Sequence, residues 1–266
     1  MARIRRLAGQ KRVGHAGTLD PLAEGVLPIL LGRATRLADM VQGSRKTYVA
    51  DIRLGAATET DDSEGAVTEE RPVPELSRSA LEQTLARFTG DIVQTPPKYS
   101  ALKVGGRRAY VLARAGAEVT LSPRPVTIES LHLMCVIGTT LTVEVTCSKG
   151  TYIRALARDI AAGLDTVGHM SALTRTRVGP FLISDALTVD DIANRGVEAA
   201  SLSPRCAIPD APTFAASAED ARTLLNGQPI QVSAGLRADH VWVYDPDGHL
   251  IGLGTADGLL RPRLAL

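Results

Sequence analysis

A chain of 266 residues has room for one large domain or two unequal ones and can bury a substantial core. Hydrophobic residues make up 44% and charged residues 22%, but aromatics only 3%, so the interior must be built from Leu, Val, Ile and Ala. The net charge of +1 does not by itself suggest a polyanion partner, yet it is unevenly spread. Residues 1–15 carry Arg3, Arg5, Arg6, Lys11 and Arg12 without an acid, and residues 98–114 carry Lys98, Lys103, Arg107, Arg108 and Arg114. Residues 59–75 hold seven acids against Arg71 alone. Segregated charge can present a basic face to phosphates, although a basic patch taken alone reads more readily as solvated surface. Cys135, Cys147 and Cys206 are odd in number and widely spaced, which excludes a Cys-x-x-Cys site and points to a reducing cytoplasm. The apolar run from Val26 to Leu31 is broken by Pro28 and is too short for a bilayer, and the basic N-terminus lacks a signal-peptide core.

In chain order, residues 1–8 read as helix and residues 14–20 as a Gly-rich loop. Pro21 to Leu31 follows as a helix or extended run. Thr47 to Leu54 alternates as a strand should, and Glu59 to Glu75 reads as a turn-rich connection. Ser77 can cap a helix striped by Leu81, Leu85 and Phe88. Pro125–Val136 and Thr140–Cys147 read as paired strands around Gly138. Gly150-Thr151 then opens a helix with Ile153, Leu156, Ala157, Ile160 and Leu164 on one face and Arg154 and Arg158 on another. Pro204, Pro209 and Pro212 mark a boundary, giving domains at 1–203 and 210–266. The second holds a helix at Glu219–Leu225 and strands at His240–Tyr244 and Leu250–Thr255.

The densest cluster of suggestive residues is Gly14-His15-Ala16-Gly17-Thr18-Leu19-Asp20-Pro21. Asp followed by Pro is a good helix start, and on its own Asp20 reads as an N-cap. The glycines upstream also allow close approach to a ligand, where a carboxylate can accept hydrogen bonds or attack an electrophile. Taken singly, Tyr48 reads as a core aromatic, Arg154 as a helix-surface charge, Leu173 as core and His15 as a packed or surface histidine.

The run from Gly14 to Leu27, with Gly32, Ala34 and Thr35, resembles the signature of the TruB pseudouridine synthases. Four more blocks continue the resemblance in order: Lys46-Thr47-Tyr48; Thr95 to Tyr110; Cys147-Ser148-Lys149-Gly150-Thr151-Tyr152-Ile153-Arg154; and His169-Met170 with Leu173 to Gly179. The ordered set overrides the single-residue readings.

The resemblance implies an α+β fold, with a central mixed or antiparallel sheet flanked by helices and a small C-terminal PUA-like β domain around Leu225 to Ile230. It implies an isomerase that converts uridine 55 in the tRNA T-loop to pseudouridine. The glycosidic N1–C1′ bond breaks, the uracil turns, and C5 bonds to C1′; no cofactor or metal is needed. Asp20 would be the essential carboxylate, Arg154 its partner, and Tyr48 a stacking residue able to move the C5 proton. Leu173 and Tyr152 would line the base pocket, with His15 stacking into the disturbed loop after base flipping. Lys98, Tyr99, Lys103, Arg107, Arg108 and Tyr110 would contact RNA. The expected partner is tRNA alone, with the protein a cytoplasmic monomer. The family pattern also places roughly 28 residues ahead of Met1, a strand and a Lys-Pro-x-Gly-x-Thr-Ser loop, whose loss would unpair neighbouring backbone. Their absence here implies a misplaced start or a compromised enzyme. Two other readings stand beside this one: a synthase for another RNA uridine, and a tRNA-binding or tRNA-folding protein without catalysis.

Overall fold

The structure, a computed structural model, describes residues 1–233 and 235–266. They form two units. One comprises Thr18–Leu27 and Gln42–Ala186, the other Met1–Gly17, Pro28–Val41 and Leu187–Leu266.

In the first unit the strands of the main sheet are β1 (Glu24–Gly25), β2 (Lys46–Leu54), β3 (Gly90–Gln94), β4 (Arg124–Ile137), β5 (Thr140–Cys147), β6 (Gly168–Val178) and β7 (Phe181–Leu182). Its helices are α1 (Arg78–Arg87), α2 (Ala109–Arg114) and α3 (Ile153–Gly163). The sheet runs β7-β6-β2-β5-β4-β3, antiparallel throughout, and β1 adds a parallel pair on β6. The sheet is therefore mixed.

Strict alternation explains the central strands. Tyr48, Ala50, Ile52 and Leu54 of β2 and Leu141, Val143, Val145 and Cys147 of β5 point to one buried face. Leu81 and Leu85 of α1 and Ile153, Leu156, Ala157 and Ile160 of α3 join the same core. Each Leu or Ile buried there contributes roughly 1.5–3 kcal/mol. Helix α1 begins where Ser77 accepts a hydrogen bond from the Ala80 amide at 3.2 Å, as its sequence predicts. Lys46 continues the buried row of β2 and is satisfied by donating to the carbonyls of Gln42 (2.6 Å) and Ser44 (2.7 Å). Burial pushes its pKa below the ordinary lysine value.

The expected helix-or-extended run at Pro21–Leu31 is not a helix, and Asp20 is not an N-cap. Residues 20–23 close a turn, the Ala23 amide donating to the Asp20 carbonyl at 2.9 Å. Gly25 then takes φ +101°, outside helical space, and the Val26 amide donates instead to the Arg175 carbonyl at 2.8 Å. Pro28, without an amide hydrogen, ends any remaining helical register. Strand pairing with a residue 150 positions away outcompetes the local signal.

The second unit contains the helix Ala2–Leu7 and a short antiparallel pair, Val13–His15 with Ile29–Leu31. The Gly14-His15 start of the expected loop is thus extended. The unit also holds the helices Val189–Arg195, Val197–Ala200 and Ala218–Leu225 and a five-stranded sheet (Thr213–Ala215, Ile230–Gln231, Arg237–Tyr244, Leu250–Asp257, Leu259–Ala265). Trp242 is fully buried, packs with Leu37, Ala211 and Leu253, and donates its indole N–H to the Ile208 carbonyl at 3.0 Å.

Candidate active site

Asp20 is the first residue of the turn closed by the Ala23 amide, just ahead of the Gly25 pairing with Arg175. Its carboxylate is gripped by Arg154 at the first turn of α3. Nε donates to Oδ2 at 2.9 Å and Nη2 to Oδ1 at 3.2 Å, a bidentate pair. The Arg154 side chain is only 7% exposed, whereas that of Asp20 is 34% exposed. The cation is enclosed and the carboxylate keeps an open side.

Arg154 holds more than Asp20. Nη1 donates to the Thr60 carbonyl (3.0 Å) and lies 3.3 Å from the Asp62 carboxylate, while Nη2 donates to the Tyr99 carbonyl (3.1 Å). Asp62 is nearly inaccessible and also accepts from the Thr60 hydroxyl and the Glu64 amide. Asp61 takes a left-handed φ of +60° and accepts from Arg158 at 2.8 Å, while Arg158 also donates to Asp159 and to the Thr95 carbonyl. Burial pushes the Asp61 carboxyl above the usual carboxylate range against the pull of Arg158. Two arginines one turn apart thus hold both members of the Asp61-Asp62 pair and two carbonyls of the Thr95–Tyr99 segment.

Sequence reasoning passed over Asp61 and Asp62 because they lie in an acidic run that reads as solvated connection. The usable signal was the Arg154/Arg158 spacing: two arginines on a helix whose one acid is Asp159 need further acceptors nearby. Arg154 is buried and not on the helix surface.

Tyr48 and Leu173 share a sheet face. Leu173 pairs across from Ala50, and Arg175, two residues on, pairs across from Tyr48. Both Tyr48 and Leu173 are buried in the main core. Burial raises the Tyr48 hydroxyl pKa above the ordinary tyrosine value, while the charge and hydrogen bond of Arg175 act in the opposite direction. Tyr152 precedes α3, and its backbone N–H and C=O both pair with the buried Gln94 side chain, at 2.8 and 3.1 Å.

Lys98 is exposed. Tyr99 is half-buried, and its hydroxyl donates to Glu59 at 2.5 Å, which raises its pKa. Lys103-Val104 and Arg107-Arg108 form a hairpin whose turn is Gly105-Gly106, both with positive φ. Lys103, Arg107 and Arg108 are all exposed on it. Tyr110 lies on α2, with the Arg114 guanidinium 5.8 Å from its ring centroid. His15 belongs to the other unit, on the short strand opposite Ile29, with Nδ1 buried and without a hydrogen bond. Asp20 and Arg154 are in direct contact, and Tyr99 joins them through its carbonyl.

One His/Cys/Asp/Glu grouping with ligand-like proximity occurs among the described residues: Asp245, Asp247 and His249. It is a turn in the second unit, where Asp245 accepts backbone N–H bonds from Asp247 and His249. No described helix is long and apolar enough to cross a membrane.

The sequence matches three family descriptions. These are "TruB family pseudouridylate synthase (N terminal domain)" over residues 5–153, "tRNA pseudouridylate synthase B C-terminal domain" over 154–202, and "Pseudouridine synthase II TruB, C-terminal" over 212–265. It is 41% identical to tRNA pseudouridine synthase B of Arthrobacter sp. (strain FB24), over 99% of this chain and 90% of the relative. It is 43% identical to tRNA pseudouridine synthase B of Thermobifida fusca (strain YX), over 95% and 88%. In structure it is similar to a chain of a Cbf5-Nop10-Gar1 complex, with a TM-score of 0.71 at 24% identity over 96% of this chain and 73% of that one. A chain of an H/ACA RNP bound to a substrate RNA containing 2'-deoxyuridine gives 0.72 at 22% identity, covering 99% and 79%. These two likenesses concern the fold.

Proposed function

The chain belongs to the TruB family of pseudouridine synthases, and from that premise we propose that it isomerises uridine 55 in the T-loop of tRNA, with Asp20 as the essential carboxylate. The observation that carries this reading is the bidentate Arg154–Asp20 pair, a buried cation holding a partly open carboxylate. Pseudouridine formation conserves every atom. The N1–C1′ bond breaks, C5 bonds to C1′, the C5 proton is lost, and N1 regains a proton. Such a sequence needs one reactive carboxylate held in a fixed orientation and a pocket that retains the free uracil while it turns. Arg154 fixes Asp20 through both oxygens. Tyr48 and Leu173, on one sheet face, would supply the flat and apolar surfaces for the base, and the Tyr48 hydroxyl would help move the C5 proton.

A base stacked within a folded RNA arm must be extruded to reach such a pocket. The exposed cations Lys98, Lys103, Arg107 and Arg108, with Tyr99 and Tyr110, are suited to holding the arm by phosphate and stacking contacts. His15 would stack in the vacated loop, and Tyr152 would line the pocket. Residues 1–203 would carry catalysis and residues 210–266 would act as a PUA-like RNA-binding domain, a division supported by the separate family matches ending at 202 and starting at 212. The protein would work as a cytoplasmic monomer without cofactor.

The test is incubation with an unmodified tRNA transcript followed by carbodiimide–primer-extension mapping. A stop at the T-loop uridine is expected for the parent chain and none for Asp20→Asn. Normal tRNA binding without a stop in the parent would replace this reading with that of a non-catalytic tRNA-binding protein. A stop at another uridine would change the substrate.

A further inference from the structure

A second arginine stands beside the reaction centre. Arg175, on β6, is 1% exposed. Its Nε donates to the Val26 carbonyl at 2.7 Å and its Nη1 to the Thr18 carbonyl at 3.3 Å. Those two carbonyls lie at opposite ends of the Thr18–Leu27 segment that carries Asp20. The backbone fastens the same segment: Gly25 pairs in parallel with Arg175, and the Val26 amide donates to the Arg175 carbonyl. Across the sheet, Arg175 is the direct neighbour of Tyr48. One guanidinium therefore holds both ends of the Asp20 loop from a position paired with the tyrosine.

The chemistry explains why an arginine is used. A guanidinium is a flat fork with five N–H donors in fixed directions, so it can hold several acceptors at once and set the angles between them. Lysine would bring the charge and three N–H donors, but all from one rotating nitrogen and without the fixed directions of the planar fork. Methionine would fill the volume and hold neither. An apolar residue would occupy a buried site at lower desolvation cost, so the arginine is kept for what it holds in place.

We infer that Arg175 is a positioning residue for the isomerisation: it fixes the Asp20 loop against the Tyr48 strand, so that carboxylate and tyrosine meet the nucleotide in one geometry. This rests on the proposed tRNA uridine isomerisation at the same site. It assigns Arg154 and Arg175 separate tasks. Arg154 orients the Asp20 side chain, and Arg175 orients the backbone that delivers it.

The experiment compares Arg175→Lys and Arg175→Met with the parent chain on an unmodified tRNA transcript, measuring kcat and KM, with folding followed by circular dichroism and thermal melting. A displaced reactive group is expected to lower kcat by roughly 10- to 100-fold in both variants. KM should change less than about twofold, because the exposed cations that hold RNA are untouched. In a Tyr48→Phe background the further loss from Arg175→Lys should shrink, since one of the groups it positions has gone. Lysine giving parental kcat would show that charge alone suffices and overturn the inference. So would a loss that appears in KM, or one that vanishes when the variants are assayed well below their melting temperatures. Loss of the folded state in both variants would assign Arg175 to stability alone, with the same result. A parent chain that leaves uridine unconverted refutes the proposed function itself, whereas an active parent with equally active Arg175 variants refutes only this inference.

Discussion

Asp62 shows how much of the candidate site is built by residues that are closed off from solvent. It is almost wholly buried, shares the Arg154 guanidinium with Asp20, and is itself held by the Thr60 hydroxyl and the Glu64 amide. Replacing it by Asn keeps shape and removes charge, leaving the guanidinium with Asp20 as its one carboxylate and no longer braced from behind. Asp62→Asn is expected to cost on the order of 1–3 kcal/mol of stability. It should also slow conversion roughly 10- to 100-fold through altered Arg154 geometry, read from a melting curve and single-turnover rates on the tRNA transcript. Tyr48 gives a prediction with a sign. Burial raises its hydroxyl pKa above the ordinary value of 10.0, so the phenol stays neutral through the neutral range and beyond. Between about pH 7 and 9 the single-turnover rate should therefore show no inflection from tyrosinate formation. An inflection in that window that disappears in Tyr48→Phe would contradict the placement. None of this was visible in Asp62 as a letter within an acidic run, whereas Tyr48 could be placed on its strand by alternation.

At the scale of elements, the turn before β1 decides where Asp20 points. Gly25 adopts φ +101°, and a Cβ built there would lie 2.2 Å from the Arg175 carbonyl oxygen. Gly25→Ala must push β1 away from β6. The expected cost is on the order of 1–3 kcal/mol, accompanied by a fall in kcat with tRNA affinity nearly unchanged, checked by melting and by steady-state kinetics. Elements whose signals are local were legible in advance: the Ser77-capped helix, the β4–β5 hairpin around Gly138, and the apolar stripe of α3. The Asp20 region was not. Asp20-Pro21 carries a genuine helix-start signal, but the competing partner is the backbone of Arg175, which no local pattern reveals. The acidic connection likewise hides a hairpin, Ala56–Thr58 with Val67–Glu70, whose turn carries Asp61 and Asp62. The candidate residues could be named from the sequence, while their arrangement depends on contacts far apart in the chain.

Over the whole molecule a net charge of +1 conceals a concentration of cations on the Lys98–Arg114 segment, which has no acid to offset them. If phosphates are held there, Lys103→Ala/Arg107→Ala/Arg108→Ala should weaken tRNA binding and flatten its dependence on salt. The slope of log affinity against log salt should fall by roughly 0.7–0.9 per lost phosphate contact, measured by filter binding across a salt series. An unchanged slope would place the phosphates elsewhere. The second unit has a different lesson. Its core joins Leu37, with Ala34 and Met40 against it, to Ala211, Trp242 and Leu253. During synthesis the Thr18–Leu27 and Gln42–Ala186 segments can close their own core once Ala186 has emerged, whereas Leu37 waits for Trp242 and Leu253. At ribosomal rates of roughly 5–20 residues per second that wait lasts several seconds. For that interval the N-terminal segment is an unfinished surface, vulnerable to chaperone capture or aggregation, while the part bearing Asp20 and Arg154 can already be complete. The order in which the chain is made thus allows the Asp20–Arg154 pair to form before the core holding Leu37 closes.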